Sequence, residues 1–150
     1  MKVDDVAKYV IFYATQKGWT VSNLKLNLFL YFLWIDYYIE KSKYLFSEKF
    51  SAWKCCPVQV GVYFDYYMYG AAPIVGMGSR CYEPKIDEDT RNFIDKTIDK
   101  YKDESVYDLV ERTHRPCGAW DRTFQGGAGN NKLISFEDVI DDIMGEKYNK

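Results

Sequence analysis

The chain's 150 residues, 47% of them hydrophobic and 18% aromatic, can bury one proper core, which excludes a disordered chain. With 20 basic and 22 acidic side chains and no dense Lys/Arg cluster, it lacks the basic stripe of a nucleic-acid binder. Direct nucleic-acid binding is therefore disfavoured, the more so because Asp4, Asp5, Glu137, Asp138, Asp141 and Asp142 make both ends acidic.

Val6, Tyr9, Val10, Tyr13 and Ala14 recur at three and four residues and predict a first helix from Asp4 to Gln16, stopped by Gly18. Ser22 or Asn23 caps the next helix, which carries Leu24, Leu28, Tyr31, Ile35 and Tyr38 on one side. Leu26, Phe29, Leu30, Leu33 and Trp34 cover much of the remainder. A helix apolar nearly all round is enclosed by its neighbours, so this one is the expected hub. Tyr44-Leu45-Phe46 and Phe50-Ser51-Ala52-Trp53, parted by polar Ser47-Glu48-Lys49, read as two short strands or an irregular hairpin. Pro57 suits the first turn of a third helix running to Tyr69, with Gly70 as its end. Ala71 to Lys85 reads as a loop in which Ile74-Val75 pairs as a short strand.

Asp87 caps a fourth helix whose buried side is Phe93, Ile94, Thr97, Ile98 and Tyr101. Ser105, with Asp108 three residues on, opens a fifth, which Pro116 closes. The run from Gln125 to Asn131 holds three glycines and reads as the most flexible stretch. Ser135 starts a last helix with Phe136, Val139, Ile140, Ile143 and Met144 on one face, beyond which the lysine-bearing tail frays. The expected fold is mainly α: a single domain over 1–150, a bundle of about six helices with a small β-hairpin or short-strand element. The 14 tyrosines, each an apolar ring with a polar tip, belong mostly at the core edge, and the others suit protein contact.

The start, Met1 to Asp5, has no apolar stretch of the kind a secretory signal carries. Leu24 to Ile39 is broken by Lys25, Asn27 and Asp36, which suits a core helix and not a membrane span. Four cysteines, two of them adjacent at Cys55 and Cys56, do not form a secreted disulfide framework. The expected compartment is the cytoplasm.

Chemistry has little to work with. His114 is the sole histidine, and nothing marks Cys55, Cys56, Cys81 or Cys117 as its nucleophilic partner. The same five residues could ligate zinc, yet only His114-x-x-Cys117 has knuckle spacing. Adjacent Cys55 and Cys56 would point to opposite sides of an extended segment. Gly127-Ala128-Gly129 lacks the third glycine of a dinucleotide loop, and Lys132 is followed by Leu133 where a phosphate loop needs Ser or Thr. Asp141 and Asp142 fall on a solvated helix face. No enzyme activity, cofactor or metal is expected.

One pattern spans the chain from Asp4 to Met144. Val6-Ala7-Lys8-Tyr9-Val10 precedes Val21-Ser22-Asn23-Leu24-Lys25-Leu26 and Leu28 to Tyr31. Phe50-Ser51-Ala52-Trp53-Lys54, Pro57-Val58, Val62-Tyr63 and Tyr69-Gly70 follow, then Thr113-His114 and Trp120. This order resembles the Panacea, or SocA-like, antitoxin domain, found in bacteria and their phages. The most specific part is the Asn-Leu-Lys-Leu helix start together with the Ala-Trp-x-x-x-Pro-Val segment. Cys56 stands where the family usually has glycine, and Ala119 where it has proline before the tryptophan.

The resemblance implies a helical domain that neutralises a cognate protein toxin by direct binding, in some members as an adaptor that hands the toxin to a protease. The alternative is a phage or prophage accessory protein of the same fold that binds a host factor. Trp53 is placed to pin the strand segment against the third helix, and His114 to bond the last carbonyls of the fifth. Tyr63, Phe64, Tyr66, Tyr67, Met68 and Tyr69 surround one helix axis and cannot all face the core. The candidate partner-binding residues are Trp53, Tyr63, Tyr66, Tyr67, Tyr69, His114 and Trp120.

Overall fold

The computed structural model describes residues 1–75 and 85–148. The first helix, α1 (Val3–Lys17), stops at Gly18, whose φ of 82° no residue with a side chain adopts comfortably. The N–H groups of Gly18 and Trp19 return to the carbonyls of Thr15 and Ala14 and close the end. The second, α2 (Asn23–Lys41), is capped by Ser22, whose Oγ accepts from the Lys25 N–H at 3.2 Å. Its residues Leu26 to Trp34 are all buried. It packs against α1 and, further along the chain, against α3 (Val60–Asp65), α4 (Glu88–Tyr101), α5 (Val106–Thr113) and α7 (Phe136–Tyr148). With α6 (Ala119–Phe124), seven α-helices are present among the described residues, so the mainly α single-domain architecture holds and α2 is its hub.

Asp87 caps α4, accepting from the Thr90 N–H and hydroxyl, and Ser105 and Ser135 cap α5 and α7 by the same geometry. These three starts were legible in the sequence because a cap is a local device.

Between α2 and α3 the sequence expectation needs correcting. Tyr44-Leu45-Phe46 forms no strand; Leu45 and Phe46 are buried as coil, and the Phe46 carbonyl accepts from Trp34 Nε1 at 3.2 Å. The hairpin joins β1 (Ser51–Ala52) to β2 (Pro57–Val58), antiparallel, with Ala52 opposite Pro57. Pro57 thus stands in a strand and not in the first turn of a helix. The helix starts at Val60 and covers six residues, and a 3₁₀ turn follows over Tyr67–Tyr69.

Two asparagines of α2 set those limits. Asn27 Oδ1 accepts from the Gln59 N–H at 2.9 Å, and Asn23 Nδ2 donates to the Tyr63 carbonyl at 2.8 Å. Asn27 Nδ2 closes the ladder on Asn23 O and Oδ1 at 3.0 and 3.1 Å. The Tyr63 carbonyl is the one a continuing α-helix would offer to Tyr67, and Asn23 engages it instead. Asn23 is therefore an interior clamp and not the cap.

The glycine-rich stretch also differs from expectation. Asn131 N–H donates to the Ala52 carbonyl, and the Lys132 carbonyl accepts from Ala52 N–H, both at 2.8 Å. Ile134 N–H adds a bond to Phe50 O at 2.8 Å, so residues 132–134 lie along β1 as a third segment, bridged at Ser51 and Leu133. Gly129 makes this possible: a Cβ there would meet the Thr123 carbonyl oxygen at 1.7 Å. Ile74 and Val75 form no strand, but Pro73 bridges Ser22 and the Ile74 N–H donates to Val21 O at 2.9 Å. The rest of that loop, with Cys81, and the last two residues lie outside the described residues.

Tyrosines stitch α4 onto α1 and α2 as the composition suggested. Tyr9 and Tyr13 donate to Asp95 and Asp99 at 2.6 and 2.8 Å, and Tyr101 donates to Asp36 at 2.9 Å. Burial, with the Asp36 carboxylate beside it, pushes Tyr101 up to about 12. Burial, with their aspartates, pushes Tyr9 and Tyr13 up as well. Above pH 10 the unfolded chain releases phenol protons that the folded chain keeps, so stability falls as pH rises. For Tyr101 this contribution is intact below pH 10 and lost by about pH 12.

Two outcomes are expected. The urea midpoint, followed by circular dichroism, declines between pH 10 and 12, with tyrosinate absorbance rising alongside unfolding. Asn27→Ala leaves the Gln59 N–H without its acceptor and lowers the unfolding free energy by about 2 kcal/mol or more in urea titrations at neutral pH.

Candidate partner-binding surface

The β1–β2 hairpin tip, Trp53 to Cys56, points a half-buried indole at α3. Trp53 meets Tyr63 edge to face at 4.8 Å, with planes 68° apart. Phe64 lies 6.4 Å from Trp53, and Tyr67 lies 6.2 Å from Tyr63 and 6.0 Å from Phe64. Four rings thus run together across the hairpin, α3 and the 3₁₀ turn.

On the other side of Trp53 a second aromatic row backs the first. Trp120 of α6 donates its Nε1 proton to the Trp53 carbonyl at 2.7 Å. His114 stacks on Trp120 at 4.0 Å and 7°, and Phe124 stacks on Trp120 at 4.8 Å and 14°. The His114 Nε2 contacts the Cys55 carbonyl, which can only accept, so Nε2 carries the proton. His114 therefore spends its ring on the hairpin tip and not on the last carbonyls of α5, as its sequence position suggested. The start of α6 is held in turn by Asp142, which accepts from Ala119 N–H and lies 3.8 Å from Arg122. Asp142 is accordingly not a free carboxylate on a solvated face; Asp141 is exposed.

Trp53, Tyr63, Tyr67, His114 and Trp120, distant in sequence, are brought into one continuous array. Their accessibility differs sharply. Tyr67 and Phe64 are each 60% exposed and Met68 is 97% exposed. Trp53 and Tyr63 are half-buried. Tyr66 and Trp120 are 7% and 8% exposed, so they support the surface from inside and cannot form it. Tyr66 lies four residues after buried Val62, with its N–H on the Val62 carbonyl at 3.3 Å, and so shares the inward face of α3. Tyr69 is half-buried and donates to the Val75 carbonyl at 2.8 Å, tying down the chain after the turn.

Phe64 and Met68 were visible in the aromatic run, yet only their exposure makes them candidates. Phe124 was missed, although its position four residues after Trp120 puts both on one helix face.

Among the described residues no group of three His, Cys, Asp or Glu side chains is placed to hold an ion. Cys117 is exposed, with its N–H on Asp121 at 2.9 Å. Cys55 and Cys56 are in a turn and not in an extended segment, and their sulfurs approach to 3.1 Å. The two sulfurs share a hydrogen bond in which either can donate, and it lowers Cys55 to about 7. The same bond, with burial, raises Cys56. A separate cavity of about 380 Å³ lies between α2, α5 and α7, lined by Tyr31, Asp36, Tyr101, Arg112 and Asp142 among others, and includes none of the aromatic array.

The sequence matches the family described as "Antitoxin SocA-like, Panacea domain" over residues 26–121. The chain belongs to the SocA-like antitoxin family. The matched region contains most of α2, the hairpin, α3, His114 and Trp120, and so covers Asn27 of the asparagine clamp and most of the aromatic array. Searches of curated proteins and of solved structures found no match. No helix of this SocA-like domain is long and apolar enough to cross a membrane among the described residues.

Trp120→Phe keeps a ring between His114 and Phe124 but leaves the Trp53 carbonyl without its donor. We expect a loss of about 1–3 kcal/mol in urea unfolding, and a change in Trp53 fluorescence as the tip loosens.

Proposed function

We propose that this chain neutralises a cognate protein toxin by binding it directly through the face formed by Trp53, Tyr63, Phe64, Tyr67 and Met68. The observation that carries the reading is the contiguity of exposed rings on a backbone held at both ends. Large aromatic side chains left in water lose the gain of burial, and a partner that covers them recovers it. Aromatic residues and methionine are also the types enriched where proteins meet. The position of this face within the family region adds support.

The mode is binding and not catalysis. His114, the sole histidine, has its Nε2 on the Cys55 carbonyl and its ring face on Trp120, which suits a scaffold role. Blocking by occupancy is the proposed mechanism, in the cytoplasm; delivery of the bound toxin to a protease is a further step that co-expression reads separately, as progressive loss of the toxin.

The test is co-expression with the adjacent open reading frame, scoring growth and co-purification. The neighbour should be toxic alone, and harmless and bound when this chain is present. Phe64→Ala combined with Tyr67→Ala should weaken binding by tenfold or more, about 1.4 kcal/mol, and restore toxicity without lowering the melting temperature. Full binding by the double variant would remove this face from the interface. A neighbour that is harmless alone, or toxic and unrelieved, would remove the cognate-toxin reading.

A further inference from the structure

We propose that Cys55 and Cys56 are a reversible redox site, which a low-molecular-weight disulfide closes to an intramolecular bond at the hairpin tip. The juxtaposition is unusual for neighbours in sequence: the β1–β2 turn folds both side chains to one side and brings their sulfurs to 3.1 Å. The two thiols also differ in access. Cys55 is half-buried, whereas Cys56 is fully buried. The contact between the two sulfurs lowers Cys55 and raises Cys56, which favours thiolate at the less buried position.

The order of events follows from that asymmetry. The Cys55 thiolate attacks one sulfur of the small disulfide; its S–S bond breaks, one thiolate leaves, and Cys55 carries a mixed disulfide. Cys56 then attacks the Cys55 sulfur. The second small thiol departs with the Cys56 proton, and the Cys55–Cys56 bond is formed. Two electrons pass from the pair to the oxidant, which is reduced to two thiols. Consecutive Cα atoms are about 3.8 Å apart, below the span of roughly 4.4–6.8 Å that relaxed disulfides adopt. The closed ring is therefore strained and readily reduced, as a reversible site requires.

Closure has a defined structural consequence. The Cys55 carbonyl belongs to the peptide unit inside the new ring, and it is the acceptor of the His114 Nε2 proton. Twisting that unit draws the acceptor from His114 and loosens its stack on Trp120. The site is thus wired to the aromatic backing whatever protein that face binds.

The experiment uses the full chain carrying Cys81→Ser and Cys117→Ser, incubated with glutathione disulfide and read by intact mass and peptide mapping. The expected product has lost the mass of two hydrogens and holds the bond within one peptide containing both cysteines. Dithiothreitol should restore the starting mass, and tryptophan fluorescence should shift and return with it. Adding Cys56→Ser should arrest the reaction at a glutathione adduct on Cys55. A stable adduct on Cys55 with Cys56 intact, or an unmodified pair, would overturn the proposal. Should the serine background fail to fold by circular dichroism, the same mapping on the unaltered chain decides between these outcomes.

Discussion

The asparagine ladder of α2 is the interaction on which the remaining architecture depends. Asn23 and Asn27 are one helical turn apart, both buried, at the start of the most apolar helix of the chain. A side-chain amide in such a place is costly unless its donors and acceptors are met. Here they are met by the backbone on either side of one short turn: Gln59 at the start of α3 and Tyr63 near its end. The Gln59 side chain extends the arrangement by donating to the Glu48 carbonyl at 2.8 Å. Polar groups that cannot be satisfied in another register make the position of the hairpin and α3 specific, where aliphatic packing alone would allow sliding.

That specificity matters because the elements it holds are too small to hold themselves. Strands of two residues and a helix of six would not persist in isolation. The hairpin survives because α2 lies beneath it, residues 132–134 run along β1, and Trp120 ties the Trp53 carbonyl to α6. A weak local structure is thereby stiffened from three directions. Exposed rings carried on a stiff platform lose little further freedom when covered, which is how a small surface can bind well. The stacked row of His114, Trp120 and Phe124 supplies the backing, and Phe64, Tyr67 and Met68 present the front.

Much of this was legible in the residues alone. Helix starts at Ser105, Asp87 and Ser135 and the stop at Gly18 are local devices, each needing only a side chain or a missing Cβ within a few positions. The enclosure of α2 followed from apolar residues on all its sides, and the order of Trp53, Pro57, His114 and Trp120 pointed to the antitoxin family. The aromatic run at 63–69 announced that some rings must remain outside.

Which rings remain outside was decided by tertiary contacts. An asparagine 40 positions earlier captures the Tyr63 carbonyl where the helix ends, and α3 is seated so that Val62 and Tyr66 face in while Phe64 and Tyr67 face out. Pro57 fits a helix start by propensity, yet the hairpin register opposite Ala52 claims it as strand. The glycine run from 125 to 131 reads as mobile from its composition, yet local backbone bonds fold it and Asn131 ties its end to Ala52 of β1. Periodicity, caps and composition act within a turn or two of the chain, so the sequence by itself determined α1, α2, α4, α5 and α7, the hub and the family. The bonds that join distant segments, which shape the aromatic face and bring the Cys55 and Cys56 sulfurs together, exist only once the chain has folded around α2.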